Sequence, residues 1–312
     1  MVRVTQSMLS TNMLRNLNSS YSKMSKYQDM LTSGRNFTRP SDDPVAAVKG
    51  MNYRVQLDKV NQYQRNINEA EGWLDTTDTA LDQVGNTLNR VKELIVQAAN
   101  DTNTVDERRK IKEEIDQIRE QIMDVGNTQL GGKFIFSGTK TQTPTFENGQ
   151  INQLLMTATP PSTIPPGEGK VEVEVFDGIQ LTVNTTGAPD MFNEIAGFLE
   201  DVSGKLDSAN TTGEEIGDFL GGLANGTNNT LAKMQANVLD MRADVGARMN
   251  RVELMKNRLD IQEINTTKQK SNNEDTDYAE TITHMATQES IHQAALSVGA
   301  KIIQQTLVDF IR

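Results

Sequence analysis

Few side chains in this 312-residue chain are types that do chemistry. Its two histidines, His284 and His292, are eight residues apart in a segment patterned as a helix. That spacing separates them by about 12 Å along the axis. Metal ligands on one helix usually sit at i and i+4, as in H-E-x-x-H, and the intervening Gln288 is a poor ligand. Solvated or interface histidines fit better than a metal site. The chain has no cysteine, so thiol nucleophiles, Cys-ligated zinc, iron–sulfur clusters and disulfides are excluded. A histidine-based nucleophilic triad has no suitable member either. Asp42 and Asp43 could form an acid/base pair only if their surroundings pushed their pKa values apart. Here they precede Pro44 and Val45-Ala46-Ala47-Val48, and an Asp cap followed by proline starts a helix. Gly131-Gly132-Lys133 fails as a phosphate loop, because Asn127 and Phe134 stand where glycine and a hydroxyl residue are required. Those glycines are expected to end a helix and turn the chain into a strand. No catalytic residue, metal site or cofactor is therefore expected.

The composition points the same way. With 31 basic and 42 acidic side chains the net charge is -11, which argues against neutralising nucleic-acid phosphates. Hydrophobic residues make up 36% and aromatics 5%, below the usual share for globular domains. Such a chain buries narrow helical seams more readily than a thick core. There is no stretch of signal-peptide type and none of membrane-spanning length.

The dominant pattern is a 3-4 hydrophobic spacing. Leu14, Leu17, Tyr21, Met24 and Leu31 mark a first helix. A second stripe runs from Leu57 through Ile67, Leu74, Leu81, Leu88 and Ile95 to Ala98, and a third from Ile111 to Val125. A long register joins Leu231, Met234, Val238, Met241, Val245, Arg248, Val252, Met255 and Leu259. The last stripe is Ile291, Ala295, Val298 and Ile302, widened by Leu307 and Phe310. Between these helices, Lys133 to Phe136 reads as a strand, and Glu147-Asn148-Gly149-Gln150 as a turn. Val171, Val173 and Val175 alternate with acids, and Asp177-Gly178 leads to Ile179, Leu181 and Val183. That is a hairpin with an expected type I′ turn. Residues 203–230, rich in Gly, Asn and Thr, are expected to hold a short helix and loops.

The expected fold is therefore mostly α with a small β insert. Both chain ends form a long rod of coiled-coil-like antiparallel helices, and the β-rich part projects from the far end. Three parts follow: terminal helices 1–40 with 275–312, disordered in the monomer; a helical rod 41–139 with 189–274; and a β-rich insert 140–188. The first segment is net basic (Arg3, Arg15, Lys23, Lys26, Arg35, Arg39 against Asp29) and the last net acidic, which favours their association. A two-helix seam rich in Ser, Asn, Gln and Ala buries little area, so the pair is expected to be completed by other subunits.

Three stretches carry a resemblance. Thr32 to Pro44, with Arg39-Pro40-Ser41-Asp42-Asp43-Pro44, resembles the N-terminal signature of the bacterial flagellin-like family in its hook-associated form. Gln129-Leu130-Gly131-Gly132-Lys133-Phe134-Ile135-Phe136-Ser137-Gly138-Thr139 is similar to a second signature. Asp277-Tyr278-Ala279-Glu280 through Gln293-Ala294-Ala295-Leu296 to Asp309-Phe310 resembles the terminal helix. The resemblance covers both ends and most of the helical body. It implies a structural protein joining the hook side of a flagellum to the flagellin filament as a thin layer. Implied partners are copies of itself in a tubular layer, a neighbouring hook-associated protein, flagellin and an export chaperone at the C-terminal helix. The implied location is extracellular, reached by type III export without a cleaved signal peptide. The expected interface residues are Leu14, Leu17, Tyr21, Met24 and Leu31 at one end, and Ile291, Ala295, Val298, Ile302, Leu307 and Phe310 at the other. Arg39, Asp42 and Asp43 are secondary candidates. Rival readings are a flagellin, the bulk filament subunit, and a soluble coiled-coil scaffold or signalling module. A carboxylate-based hydrolase would need a pocket with two inward-facing acids.

Overall fold

The structure is a computed structural model that describes residues 6–100, 103–157, 164–208, 211–221 and 230–308, with side chains from residue 8 onward and up to 300. It is mostly α-helix with small antiparallel sheets. The order is α1 (Gln6–Ser33), α2 (Pro44–Ala98), α3 (Val105–Gly126), β1 (Gln129–Leu130), β2 (Lys133–Phe134), β3 (Phe146–Glu147), β4 (Gln150–Ile151), α4 (Gln153–Met156), β5 (Glu172–Phe176), β6 (Ile179–Thr182), α5 (Ala188–Asp207), α6 (Gly213–Gly221), α7 (Leu231–Glu274) and α8 (Tyr278–Val308). Two compact units divide the chain: one runs up to Val60 and resumes at Ile261, and the other is Asn61–Asp260.

Local chemistry sets the helix starts. Asp43 Oδ1 accepts the Val45 and Ala46 amides at 3.0 and 2.9 Å, so it caps α2 with Pro44 in the first turn. Thr104 and Glu107 form a reciprocal capping box on α3. Asp277 Oδ1 caps α8 through the amides of Ala279 and Glu280.

The central unit holds the thicker core. Ile67, Leu74, Leu81, Val84, Leu88, Val91 and Ile95 of α2 are buried, as are Leu231, Met234, Val238, Val245, Val252 and Leu259 of α7. Polar ties fall in antiparallel order along the two helices: Gln64 to Asp260, Glu71 to Lys256, Asp78 and Asp82 to Arg242, and Asn89 to Gln235. Arg248, at a seam position among apolar residues, reaches the carbonyls of Thr182 and Asn184 and so pins the β5–β6 hairpin to α7. On the same hairpin, the Phe176 ring lies under the Arg258 guanidinium at 4.2 Å and stacks with Tyr63. A further core lies under α5, which packs on α3 and α6. Phe192 meets the rings of Phe136 and Phe146 edge-on at 4.8 and 6.4 Å, and Phe198 meets Phe219 at 5.7 Å.

Three local expectations change. Gly131 and Gly132 do not end α3, which stops at Gly126; both have positive φ and make the turn between β1 and β2. The strand expected over 133–136 pairs only at Lys133–Phe134, and Ile135 and Phe136 instead enter the core. At Asp177-Gly178 only the glycine has positive φ, and the ladder slips between Glu174 and Phe176. A type I′ turn needs positive φ at both central residues, so this hairpin lacks one. Asn148 and Gly149, at φ 53° and 77°, satisfy that condition in the β3–β4 hairpin.

Candidate assembly interface

In the terminal unit, the covered residues of α1 are Ser10, Met13, Leu17, Ser20, Met24, Tyr27 and Leu31, with Met30 beside the last. Those of α8, up to residue 300, are Thr281, Met285, Gln288, His292, Ala295 and Gly299. Each set steps by three and four, the spacing of a coiled-coil seam. The helices run antiparallel. Gln288 Nε2 donates to Ser20 Oγ at 2.8 Å, Tyr27 stacks on His284 at 5.8 Å, and Tyr21 lies 6.3 Å from His292. A side chain on Gly299 would overlap the Met13 methyl, so the glycine admits Met13 at that level.

Half of this seam is polar or small. Several large apolar residues lie outside it. Leu14 (60% exposed) and Tyr21 (63%) directly follow the seam residues Met13 and Ser20, while Ile291 (51%) and Val298 (57%) directly precede His292 and Gly299. Ile282 and Leu296 are exposed beside Thr281 and Ala295, and Leu9 beside Ser10. In an antiparallel pair, positions that follow the seam share one flank and positions that precede it share the other. Leu14, Tyr21, Ile282 and Leu296 thus lie along one flank, and Leu9, Ile291 and Val298 along the opposite one.

The residues singled out by sequence divide accordingly. Leu17, Met24, Leu31 and Ala295 lie in the seam, half-buried. Leu14, Tyr21, Ile291 and Val298 face solvent. Arg39, Asp42 and Asp43 are exposed; Asp42 Oδ2 accepts the Arg39 amide at 3.1 Å, which closes the turn before α2. Ile302 and Leu307 lie within α8 beyond its described side chains, and Phe310 lies outside the described residues. Among the described residues no ion pair joins α1 to α8.

A second feature escaped the sequence reading. The α1–α2 and α7–α8 connections are stitched to each other. The Asn36 amide donates to the Glu274 carbonyl at 2.7 Å, and the Thr276 amide to the Gly34 carbonyl at 3.0 Å. Asn36 and Asn273 side chains donate to the carbonyls of Asp275 and Ala46, each at 2.8 Å. Glu274, 2% exposed, pairs with Arg54 at 2.7 Å beside Gly50, where a side chain would strike its carboxylate. Hydrophobic spacing carries no trace of it, because the bonds run through polar side chains and backbone groups more than 200 residues apart.

Among the described residues no cluster of His, Asp and Glu could hold a metal ion. A cleft of about 440 Å³ lies between α1 and the connection to α2, lined by Tyr21, Lys26, Asp29, Phe37, Arg39 and Asp42 among others. Asp42 in that cleft is already engaged by backbone amides. The carboxyl raised above its ordinary range is Asp190, chiefly by burial and then by Glu168 and Glu194.

The profile of the bacterial flagellin N-terminal helical region matches residues 4–141, and that of the C-terminal helical region matches residues 229–311. Together they span well over half of the chain. It belongs to the bacterial flagellin family. Within this family, flagellar hook-associated protein 3 of Escherichia coli (strain K12) is 26% identical over 299 residues, 93% of this chain and 93% of that protein. A flagellin of Clostridium tyrobutyricum is 29% identical over 138 residues, 44% of this chain but 37% of that flagellin. The solved flagellar hook-associated protein 3 of Legionella pneumophila matches with a TM-score of 0.56 at 12% identity, over 70% of this chain and 96% of that one. At such identity the likeness concerns the fold. It is the flagellin-family fold that carries α1 and α8, one from each matched region.

Proposed function

We propose that this chain is a structural subunit of the bacterial flagellum that joins the hook side to the flagellin filament as a thin layer and has no catalytic activity. The observation that carries the assembly role is the placement of Leu14, Tyr21, Ile282 and Leu296 on one flank of the α1–α8 pair and Ile291 and Val298 on the other. Apolar area left in water on two opposite flanks calls for two different neighbours. An interface that meets two neighbours head-to-tail without closing builds a helical tube. The interface we assign therefore includes Leu14, Tyr21, Ile291 and Val298, with Leu17, Met24, Leu31 and Ala295 acting one step back, by holding the pair. Ile302, Leu307 and Phe310 continue the α8 stripe in sequence. The same reading divides the assembled subunit into terminal helices 1–40 with 275–312, a rod 41–139 with 189–274, and an outer insert 140–188. Its partners are copies of itself, a neighbouring hook-associated protein, flagellin, and an export chaperone on α8. The chain reaches the cell exterior without a cleaved signal peptide.

The junction role is preferred to that of a bulk filament subunit because the hook-associated relative aligns over nearly the whole of both chains, whereas the flagellin aligns over little more than a third of its own length. Two experiments test it. Deleting the gene is expected to leave hooks without filaments and flagellin in the medium; normal filaments in the deletion strain rule the role out. Purified protein is expected to add a limited layer to hook ends, and unlimited elongation points to a flagellin instead.

A further inference from the structure

Large apolar side chains are also exposed on α2 and α7, away from α1 and α8. Val45, Val48, Met51 and Val55 form a row along the start of α2, and Ile261 and Ile264 a shorter one in the last third of α7; each is more than half exposed. All six belong to one compact unit. Neither row faces the other helix. Where α2 meets α7, the Asn273 side chain donates to the Ala46 carbonyl, and Glu274 lies against Gly50 and Arg54. Val48 is two residues from Gly50. Ile264 is two residues from Thr266, which is buried one heptad before Asn273. Two residues turn a helix by about 200°, so each row points away from the side where the helices meet. The rows therefore lie on opposite sides of the α2–α7 pair. Apolar rows left in water mark contact surfaces.

We propose that the valine row of α2 docks on the isoleucine pair of α7 in a second copy of this chain, so that each copy gives one row and receives the other. The two rows differ and lie on opposite sides, so a two-fold dimer would cover one and leave the other wet. A head-to-tail array covers both. Charge favours the same pairing. From one residue before to one residue after each row, the α2 stretch holds Lys49 and Arg54 and no acid, and the α7 stretch Asp260 and Glu263 and no base. Arg54 is held by Glu274, whereas Lys49 makes no ion pair among the described residues and is open to the acids of the next copy. Valine and isoleucine are stiff at χ1, so ordering them in a contact costs little. The contact needs no pairing of α1 with α8 in the free chain, because both rows lie outside residues 1–40 and 275–312. It rests on the reading of the chain as a layer-forming subunit and adds a contact in the rod to those at the chain ends.

The chain has no cysteine, so introduced thiols are its only ones. Full-length Val48→Cys/Ile264→Cys and the two single variants are added to hook ends, treated with a short bismaleimide and run on denaturing gels. The double variant is expected to run mainly as dimers, trimers and higher multimers, because each thiol meets the other kind on the next copy. Each single variant is expected to stay monomeric. The proposal is overturned by a double variant that adds to hook ends yet stays monomeric, by a link within one chain, or by a single variant that forms dimers as readily, which is two-fold packing. If wild type itself does not add to hook ends, the junction reading fails. The same linking is then read on concentrated protein in solution: multimers from the double variant alone keep the contact, and their absence overturns it. Should the double variant fail to add where wild type adds, the charge pair decides. Lys49→Glu is expected to lower addition about tenfold or more, and Lys49→Glu/Glu263→Lys to restore most of it. No loss in the first, or no rescue in the second, overturns the proposal.

Discussion

At Gly50, a side chain would run into the carboxylate of Glu274, which is buried and held by Arg54. Gly50→Val is therefore expected to destabilise the terminal unit by about 1–3 kcal/mol, the range for overpacking a close contact. Thermal unfolding followed by circular dichroism checks it, and an unchanged melting temperature would mean that α2 and α7 slide apart freely there. Ionisable residues give a prediction with a sign. Glu107 accepts the Thr104 amide and hydroxyl, which hold its carboxyl below the usual range. A depressed carboxyl stabilises the fold above its unfolded pKa, and that contribution is lost as pH falls through the folded value. Asp190 behaves oppositely: burial, then Glu168 and Glu194, raise it, so its contribution is present in acid and lost as pH rises through the folded value. Asp190→Asn is thus expected to raise the melting temperature at neutral pH and to change it little in acid; a drop at neutral pH contradicts the assignment. The Asp43 cap was legible from sequence because a cap needs only its next three residues. Glu274 was not, because its partners Arg54 and Gly50 are local to nothing near it in the chain.

Helices α2 and α7 were legible over most of their length, since their stripes of Leu, Ile and Val face one another and are buried. The stripe on α1 combines two faces, the seam (Leu17, Met24, Leu31) and an exposed flank (Leu14, Tyr21), for a physical reason. Hydrophobic spacing reports which residues want cover, not which partner gives it. Leu14 and Tyr21 outrank Met13 and Ser20 in hydrophobicity, yet the latter face α8. Helix α5 fell inside the expected helical rod 189–274 without being delimited, although Phe192, Ile195, Leu199, Val202 and Leu206 repeat every three or four residues and Pro189 stands in its first turn; Gly187 gives it no side-chain cap. It anchors the central core all the same. Phe192→Ala is expected to cost about 3–5 kcal/mol, measured by urea unfolding through the single tryptophan, Trp73, which lies in that unit. On the flanks of the α1–α8 pair the expectation reverses. Leu14→Asp and Val298→Asp should leave the melting of the isolated chain within about 0.5 kcal/mol, while preventing addition to hook ends. Leu17→Asp, in the seam, should open the pair itself. Normal addition by both flank variants contradicts the interface we assign.

The whole chain carries a charge of -11 and no cysteine, so it has nothing to oxidise to a disulfide whether in a reducing cytoplasm or outside the cell. Its terminal unit is thinly held compared with Asn61–Asp260, where the large aromatic and aliphatic core lies. Light proteolysis of the monomer is expected to trim both ends toward a fragment of residues near 40–275, because exposed backbone with few apolar contacts opens first. Ends that resist proteolysis as well as the centre does would contradict this. The Gln288–Ser20 bond closes a loop of 268 residues, and this bears on timing as much as on strength. Contacts that distant form late, after the intervening chain has been drawn together. A chain fed through a channel from either end would have one helix of the pair outside long before its mate emerged. During that interval α1 and α8 could not find each other, and the first completed pair would mark the arrival of a whole subunit.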